Sequence, residues 1–255
     1  MKTLRCFGVV FCLFLLSAIC IAEETEYFDW KGSQLYASQN YTSALTNFNK
    51  AISQDSNYTM AWIHKGDTQR ALRDYNGSIK SYETALQIDG SKDVAWSGIA
   101  DTYTAMNNLA NASIAAAKAT ELSNKNAYYW WREGNLLKTQ GMYKESIVKY
   151  DGAIALNPEY TDALYMESLS LMVLGSNAEA GKLLDQVLQI NPKYKLAYNA
   201  KGIILEANGK YAEALQSYEQ ALQIDPAYSQ ALVNKMHVLF ALKKQNEAMQ
   251  IFVKT

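Results

Sequence analysis

Counting 34 residues from Phe28 reaches Trp62, and the same step lands on Trp96, Trp130, Leu164, Tyr198 and Leu232. Four residues further along, the register holds a mostly small position: Gly32, Gly66, Ala100, Gly134, Ser168 and Gly202, then Met236. A third comb reads Ala44, Ser78, Ala112, Ser146, Ala180, Ala214 and Ala248, and a fourth reads Ala51, Ala85, Ala119, Ala153, Val187 and Ala221. One period kept by four combs makes the chain a repeat array, in which each unit packs chiefly on its neighbours.

Each period predicts two amphipathic helices, as the apolar spacing of Ala44, Leu45, Phe48, Ala51 and Ile52 illustrates. The small residues of the second and third combs remove bulk where the two helices cross. Gly141, Gly175 and Gly209 fall just before second helices, where a left-handed residue ends the first. Pro158, Pro192 and Pro226 share one position near the repeat boundary and stop the second helix. Ser56, Gly90 and Asn124 stand there in the first three repeats, so softer turns are expected. Repeat three is the weakest, with Ala116 in an aromatic's place. Repeat five departs through Leu164, Leu171, Leu183 and Leu184, and either repeat is a candidate hinge.

Trp130, Gly134, Leu137, Ser146, Tyr150, Ala153 and Pro158, and again Tyr198, Gly202, Leu205, Ala214, Tyr218, Ala221 and Pro226, resemble the signature of the tetratricopeptide repeat. The resemblance covers residues 25–255 as repeats 25–58, 59–92, 93–126, 127–160, 161–194, 195–228 and a shorter 229–255. It implies an all-α, right-handed superhelical solenoid of antiparallel helix hairpins, and a role in binding proteins rather than in catalysis.

Lys2 and Arg5 precede an apolar or small run from Cys6 to Ala22, followed by Glu23 and Glu24, the layout of a secretory signal peptide. Cleavage after Ala22 is the first reading. Retention of residues 6–22 as a membrane anchor is the second, and lipidation at Cys20 after cleavage, with Ile19 fitting that motif poorly, is the third. All three cysteines, Cys6, Cys12 and Cys20, lie in this run, so the repeat region has no disulfide framework or thiol nucleophile. Without Lys2 and Arg5 the 24 basic and 25 acidic residues become 22 and 25, a net charge of −3. No basic stripe exists to displace counterions, which argues against nucleic acid.

The residues give no constellation for catalysis or for a cofactor. His64 and His237 sit five repeats apart, and Gly181-Lys182 is followed by Leu183 where a phosphate loop needs Ser or Thr. Enzymes that carry this kind of repeat place their chemistry in a separate domain.

In the family, the first helix of each repeat lines a concave groove. Mapped onto this chain, the groove begins with Glu26, Asp29, Ser33, Asp67, Arg70 and Asp101, with His64 nearby. It continues with Tyr128, Trp131, Arg132, Asn135, Lys138 and Tyr165, and ends with Leu169, Met172, Val173, Ile203, Val233 and Phe240. The sharpest candidate is the middle. Trp131 is an indole off the packing comb, with Arg132, Asn135 and Lys138 within two turns, suited to an extended peptide or its carboxylate. The competing reading packs Trp131 on the next repeat. The family's two-carboxylate clamp for chaperone tails is disfavoured, because its positions here hold Asp67, Ser97 and Asp101 or Tyr165 and Leu169.

Four Asn-x-Ser/Thr triplets begin at Asn40, Asn57, Asn76 and Asn111, in turns or at helix starts, as glycan acceptors or simply as turn residues. Leu239, Leu242, Met249 and Phe252 in the shorter seventh repeat read either as a self-association or docking surface or as a helix whose few exposed apolar atoms are tolerated. The expectation is an exported or membrane-tethered scaffold that binds a partner protein or peptide, without catalysis or cofactor. The alternative is a structural envelope component that self-assembles through its last repeat.

Overall fold

The computed structural model describes residues 22–254, so the expected leader, apart from Ala22, lies outside the described residues. Fourteen helices and no strand occur among them. They are α1 (22–37), α2 (Tyr41–Gln54), α3 (Thr59–Ala71), α4 (Tyr75–Ile88), α5 (Asp93–Ala105), α6 (Leu109–Leu122) and α7 (Ala127–Thr139). Then come α8 (Tyr143–Leu156), α9 (Thr161–Val173), α10 (Asn177–Ile190), α11 (Lys195–Ala207), α12 (Tyr211–Ile224), α13 (Ser229–Ala241) and α14 (Gln245–Lys254). No described helix is long and apolar enough to cross a membrane.

Odd-numbered helices are the first of each repeat and even-numbered ones the second. The chain divides into two compact units, the first ending at Asn124 and the second running from Lys125. The division falls at the end of repeat three. In that repeat the buried face of α6 is Ala112, Ala115, Ala116, Ala119 and Thr120, with no large side chain among them.

Within each unit a helix packs on its neighbours in sequence, and successive odd helices also touch, α3 on α5 and α7 on α9 on α11 on α13. The combs explain the core. Ala44, Ala85, Ala112, Ala153, Ala180, Ala214 and Ala221 are fully enclosed, and so are the bulky Phe48, Tyr82, Tyr150, Leu184 and Tyr218 on the second helices. In repeat five, Leu164, Leu171 and Leu184 are buried with Val187, Ala197 and Ile204, so leucine fills the places of the aromatics.

The turn between the two helices of a repeat is closed in one way throughout. Gln39, Arg73, Asn107, Gly141, Gly175, Gly209 and Lys243, each 34 residues from the last, take positive φ between 57° and 81°. Glycine therefore occupies only three of seven left-handed positions. At the repeat boundary, Asp55, Asp89, Asn157, Asn191 and Asp225 cap the second helix, and each accepts the backbone N–H two residues on. Repeats one and two lack the proline but keep this same Asx turn.

Candidate functional site

The face formed by the odd helices differs between the two units. In the first, Asp29, His64, Asp67, Arg70 and Asp101 are paired among themselves. Asp29 Oδ1 lies 2.8 Å from His64 Nδ1, Arg70 donates to Asp67 at 2.9 Å, and Arg70 Nη1 stands 3.9 Å from Asp101 Oδ2. Tyr82, buried beneath, donates its hydroxyl to the same Asp67 oxygen at 2.8 Å. Burial of the His64 ring opposes its charge, but the Asp29 hydrogen bond and the charges of Asp29 and Asp67 outweigh it and raise its pKa. The Arg70 guanidinium is likewise held charged, burial being overcome by Tyr82, Asp67 and Asp101.

In the second unit, Tyr150 donates its hydroxyl to Asn135 Oδ1 at 2.8 Å, and Tyr218 donates to Glu206 at 2.9 Å. Asp67 and Asn135, both singled out as ligand contacts, thus already accept from buried tyrosines. Trp131 is half-buried, its ring 5.9 Å from both Tyr128 and Tyr160, the residue that precedes α9, and its buried indole N–H finds no acceptor. The indole thus sits between rings at the two ends of its own repeat. Arg132 lies 5.5 Å over the ring of Tyr128, which is itself 45 % exposed.

Lys138 is half-buried, with its Nζ 3.7 Å from the sulfur of Met166, and burial lowers its pKa. Tyr165 packs against Tyr194, ring centres 5.3 Å apart, and burial with the neighbouring Tyr228 pushes its hydroxyl up to about 12. Beyond Tyr165 a shallow cleft of about 520 Å³ is lined by Leu169, Asn199, Ala200, Ile203, Ser229, Gln230, Val233 and Asn234. Asn234 donates to Asn199 at 2.9 Å across its floor. Ile203 on α11, Val233 and Phe240 on α13, and Val173 at the end of α9 are exposed apolar side chains.

Asn199, Gln230, Asn234, Tyr160, Tyr194 and Tyr228 line or border this face and escaped the sequence reading. The three tyrosines could have been found, since they fall in one register, 34 residues apart.

The four glycan candidates are all exposed, but the Asn40 side chain accepts from Ser43 N–H as the cap of α2, and Ser78 of the Asn76 triplet is buried against Thr102. Leu239 is buried and Leu242 packs on the core of the last repeats, leaving Met249 exposed. The side chain of Phe252 lies outside the described residues. Among the described residues no three His, Cys, Asp or Glu are placed to hold a metal ion.

Helix hairpins in a fixed register, with an odd-helix face that carries exposed apolar side chains, define the class of repeat scaffolds. Tetratricopeptide repeat models match residues 61–92, 94–126, 132–195, 165–229 and 205–254, and the chain belongs to that family. The fold is that of a protein-interaction scaffold.

No curated protein matches the sequence. Among solved structures, a tetratricopeptide repeat protein from Parabacteroides merdae aligns with TM-score 0.68 at 15% identity, over 91% of this chain and 92% of its own. PilW, described as a type IV pilus biogenesis factor, aligns with TM-score 0.66 at 18% identity, over 77% and 91%. YrrB, described as having an unusual peptide-binding site, aligns with TM-score 0.63 at 22% identity, over 74% and 97%. At these identities the likeness is one of fold.

Proposed function

We propose that the chain is a non-catalytic scaffold, exported or tethered to a membrane by residues 6–22, that binds a segment of another protein on the odd-helix face of its second unit. The observation that carries this reading is the cleft of α9, α11 and α13. There Ile203 is 40 % and Val233 62 % exposed beside the Asn199–Asn234 pair, an apolar surface with amide groups at hand. The peptide-binding description of YrrB, a protein of the same fold, is consistent with that use. The first unit serves as support, because its face is tied up in the Asp29, His64, Asp67, Arg70 and Asp101 contacts. Export rests on the basic, apolar, small-residue order of residues 2–22.

Purification of the tagged chain from its native host tests both parts. The intact mass reports whether the chain starts near Glu23. A specific co-purifying protein retained by the native chain and lost from the Ile203→Asp/Val233→Asp double variant, at equal helicity, is the expected result. Retention of every partner by that variant would sink the groove reading.

A further inference from the structure

Among the described residues, three of the four carboxylates borne by the odd helices of the second unit have a hydrogen-bond donor. Asp162 accepts from Tyr194, Glu206 accepts from Tyr218 and His237, and Glu133 pairs with Lys149. Glu167, the fourth, is buried with Asp151 as a neighbouring charge, and one of its oxygens has no partner. Of the cations, Lys195, Lys201 and Lys235 are paired with Asp225, Asp185 and Glu219. Lys138 differs. Its ammonium reaches only the Met166 sulfur, a weak acceptor, and no described carboxylate compensates it. A half-buried ammonium without a counter-ion is costly by itself and favours an anion brought from outside.

Met166 and Leu169 lie one turn apart on α9, and Leu169 opens the apolar cleft that runs on through Ile203 to Val233. Helices at ordinary packing distances of about 8–10 Å place α9 and α13 roughly 16–20 Å apart. An extended strand covers that in about five or six residues.

Resting on the binding role above, we propose that the ligand of this face is an extended peptide segment with one acidic side chain seated on Lys138 and apolar side chains about three to six residues away, seated against Leu169, Ile203 and Val233. Charge complementarity selects an acidic anchor, and the uncharged cleft selects the apolar side chains beyond it. The unpaired ammonium gives up little hydration when the carboxylate arrives, so specificity resides at Lys138 and contact area in the cleft.

The test is selection of random dodecapeptides displayed on phage against the full chain, repeated on Lys138→Met, Lys138→Arg and Val233→Asp. Methionine keeps the apolar stem and removes the charge, and circular dichroism checks that each variant keeps its helicity. The expected result is enrichment of sequences with Asp or Glu three to six residues from an apolar pair. Affinity should fall about tenfold on Lys138→Met, be restored in large part by Lys138→Arg, and be lost on Val233→Asp. Enriched peptides without an acidic position, or with affinity unchanged on Lys138→Met but lost on Val233→Asp, would overturn the acidic anchor and leave the groove reading standing. Enrichment indifferent to all three variants, or no enrichment, would overturn both.

Discussion

The ring of Tyr150 lies directly under the backbone of Gly134, so that a Cβ added at Gly134 would stand 2.6 Å from the tyrosine Cε1. The same pairing, sixteen residues apart, joins Gly32 to Phe48, Gly66 to Tyr82 and Gly202 to Tyr218. Where the second helix has no aromatic, the first has no glycine: Ala100 goes with Ala116, and Ser168 with Leu184. Ring and missing side chain are two halves of one packing device.

Gly134→Ala should therefore cost about 1–3 kcal/mol, the usual range for overpacking a closed core. Adding Tyr150→Leu should return part of that loss, because it reproduces the Ser168–Leu184 arrangement. Urea titrations of the single and double variants give the coupling. Strictly additive losses would show that the ring does not set the choice of glycine.

The left-handed turn residues offer a second check. Arg73 holds φ of 64° at an exposed site, where glycine carries no Cβ strain. Arg73→Gly should be neutral or stabilise by up to about 1 kcal/mol, whereas Gly141→Ala, with φ of 78°, should destabilise by about 1 kcal/mol. Thermal midpoints of the two variants decide it, and the same sign for both would be wrong for this account.

Glu167 shows what a repeat register does when one partner changes. Its counterpart Glu133 pairs with Lys149 sixteen residues on, but the residue sixteen on from Glu167 is Leu183. On the other side, where Lys201 meets Asp185 and Lys235 meets Glu219, Glu167 meets Asp151. Burial first, then Asp151 and Glu179, push its carboxyl up to about 8. A folded pKa raised above the unfolded value means that the folded state binds the extra proton, so stability falls as pH rises from about 4.5 to about 8. Glu167→Gln should stabilise the second unit by about 1–3 kcal/mol at pH 8 and by little near pH 4.5. Denaturation of the variant and the native chain at both pH values tests it, and an equal effect at both would contradict the assignment.

His64 carries a pH effect in the first unit. Its raised pKa means that the bond to Asp29 adds stability in full below the unfolded value of about 6.5 and loses it as pH climbs through the folded value. Exchange of amide hydrogens in α3 should quicken between pH 6 and 8, after correction for intrinsic rates, in the native chain but not in His64→Gln. No difference between the two would remove the role given to the ion pair.

The hairpins, their boundaries and the small-residue crossings were legible because they rest on contacts within one 34-residue period. Gly141, Gly175 and Gly209 marked three inter-helix turns, yet Gln39, Arg73, Asn107 and Lys243 adopt the same conformation without the residue that announces it. The face of the odd helices was legible as a set of positions and less so as a site. Asp67 and Asn135 read as ligand contacts, and only the structure shows them accepting from Tyr82 and Tyr150 fifteen residues on. Burial of the Trp131 indole against Tyr160, and the unpaired ammonium of Lys138, depend on which side chains meet between elements far apart in the chain. Periodicity does not report that.

The most direct test of the central claim is a photo-crosslinking residue placed at Ile203, in the cleft, and separately at Val148, exposed on the second helix of repeat four. Irradiation in the native host should give a discrete adduct with a different protein from Ile203 and none from Val148, and Lys138→Met should weaken it. Adducts from Val148 but not from Ile203, or adducts only between copies of this chain, would contradict a scaffold that binds its partner on the odd-helix face.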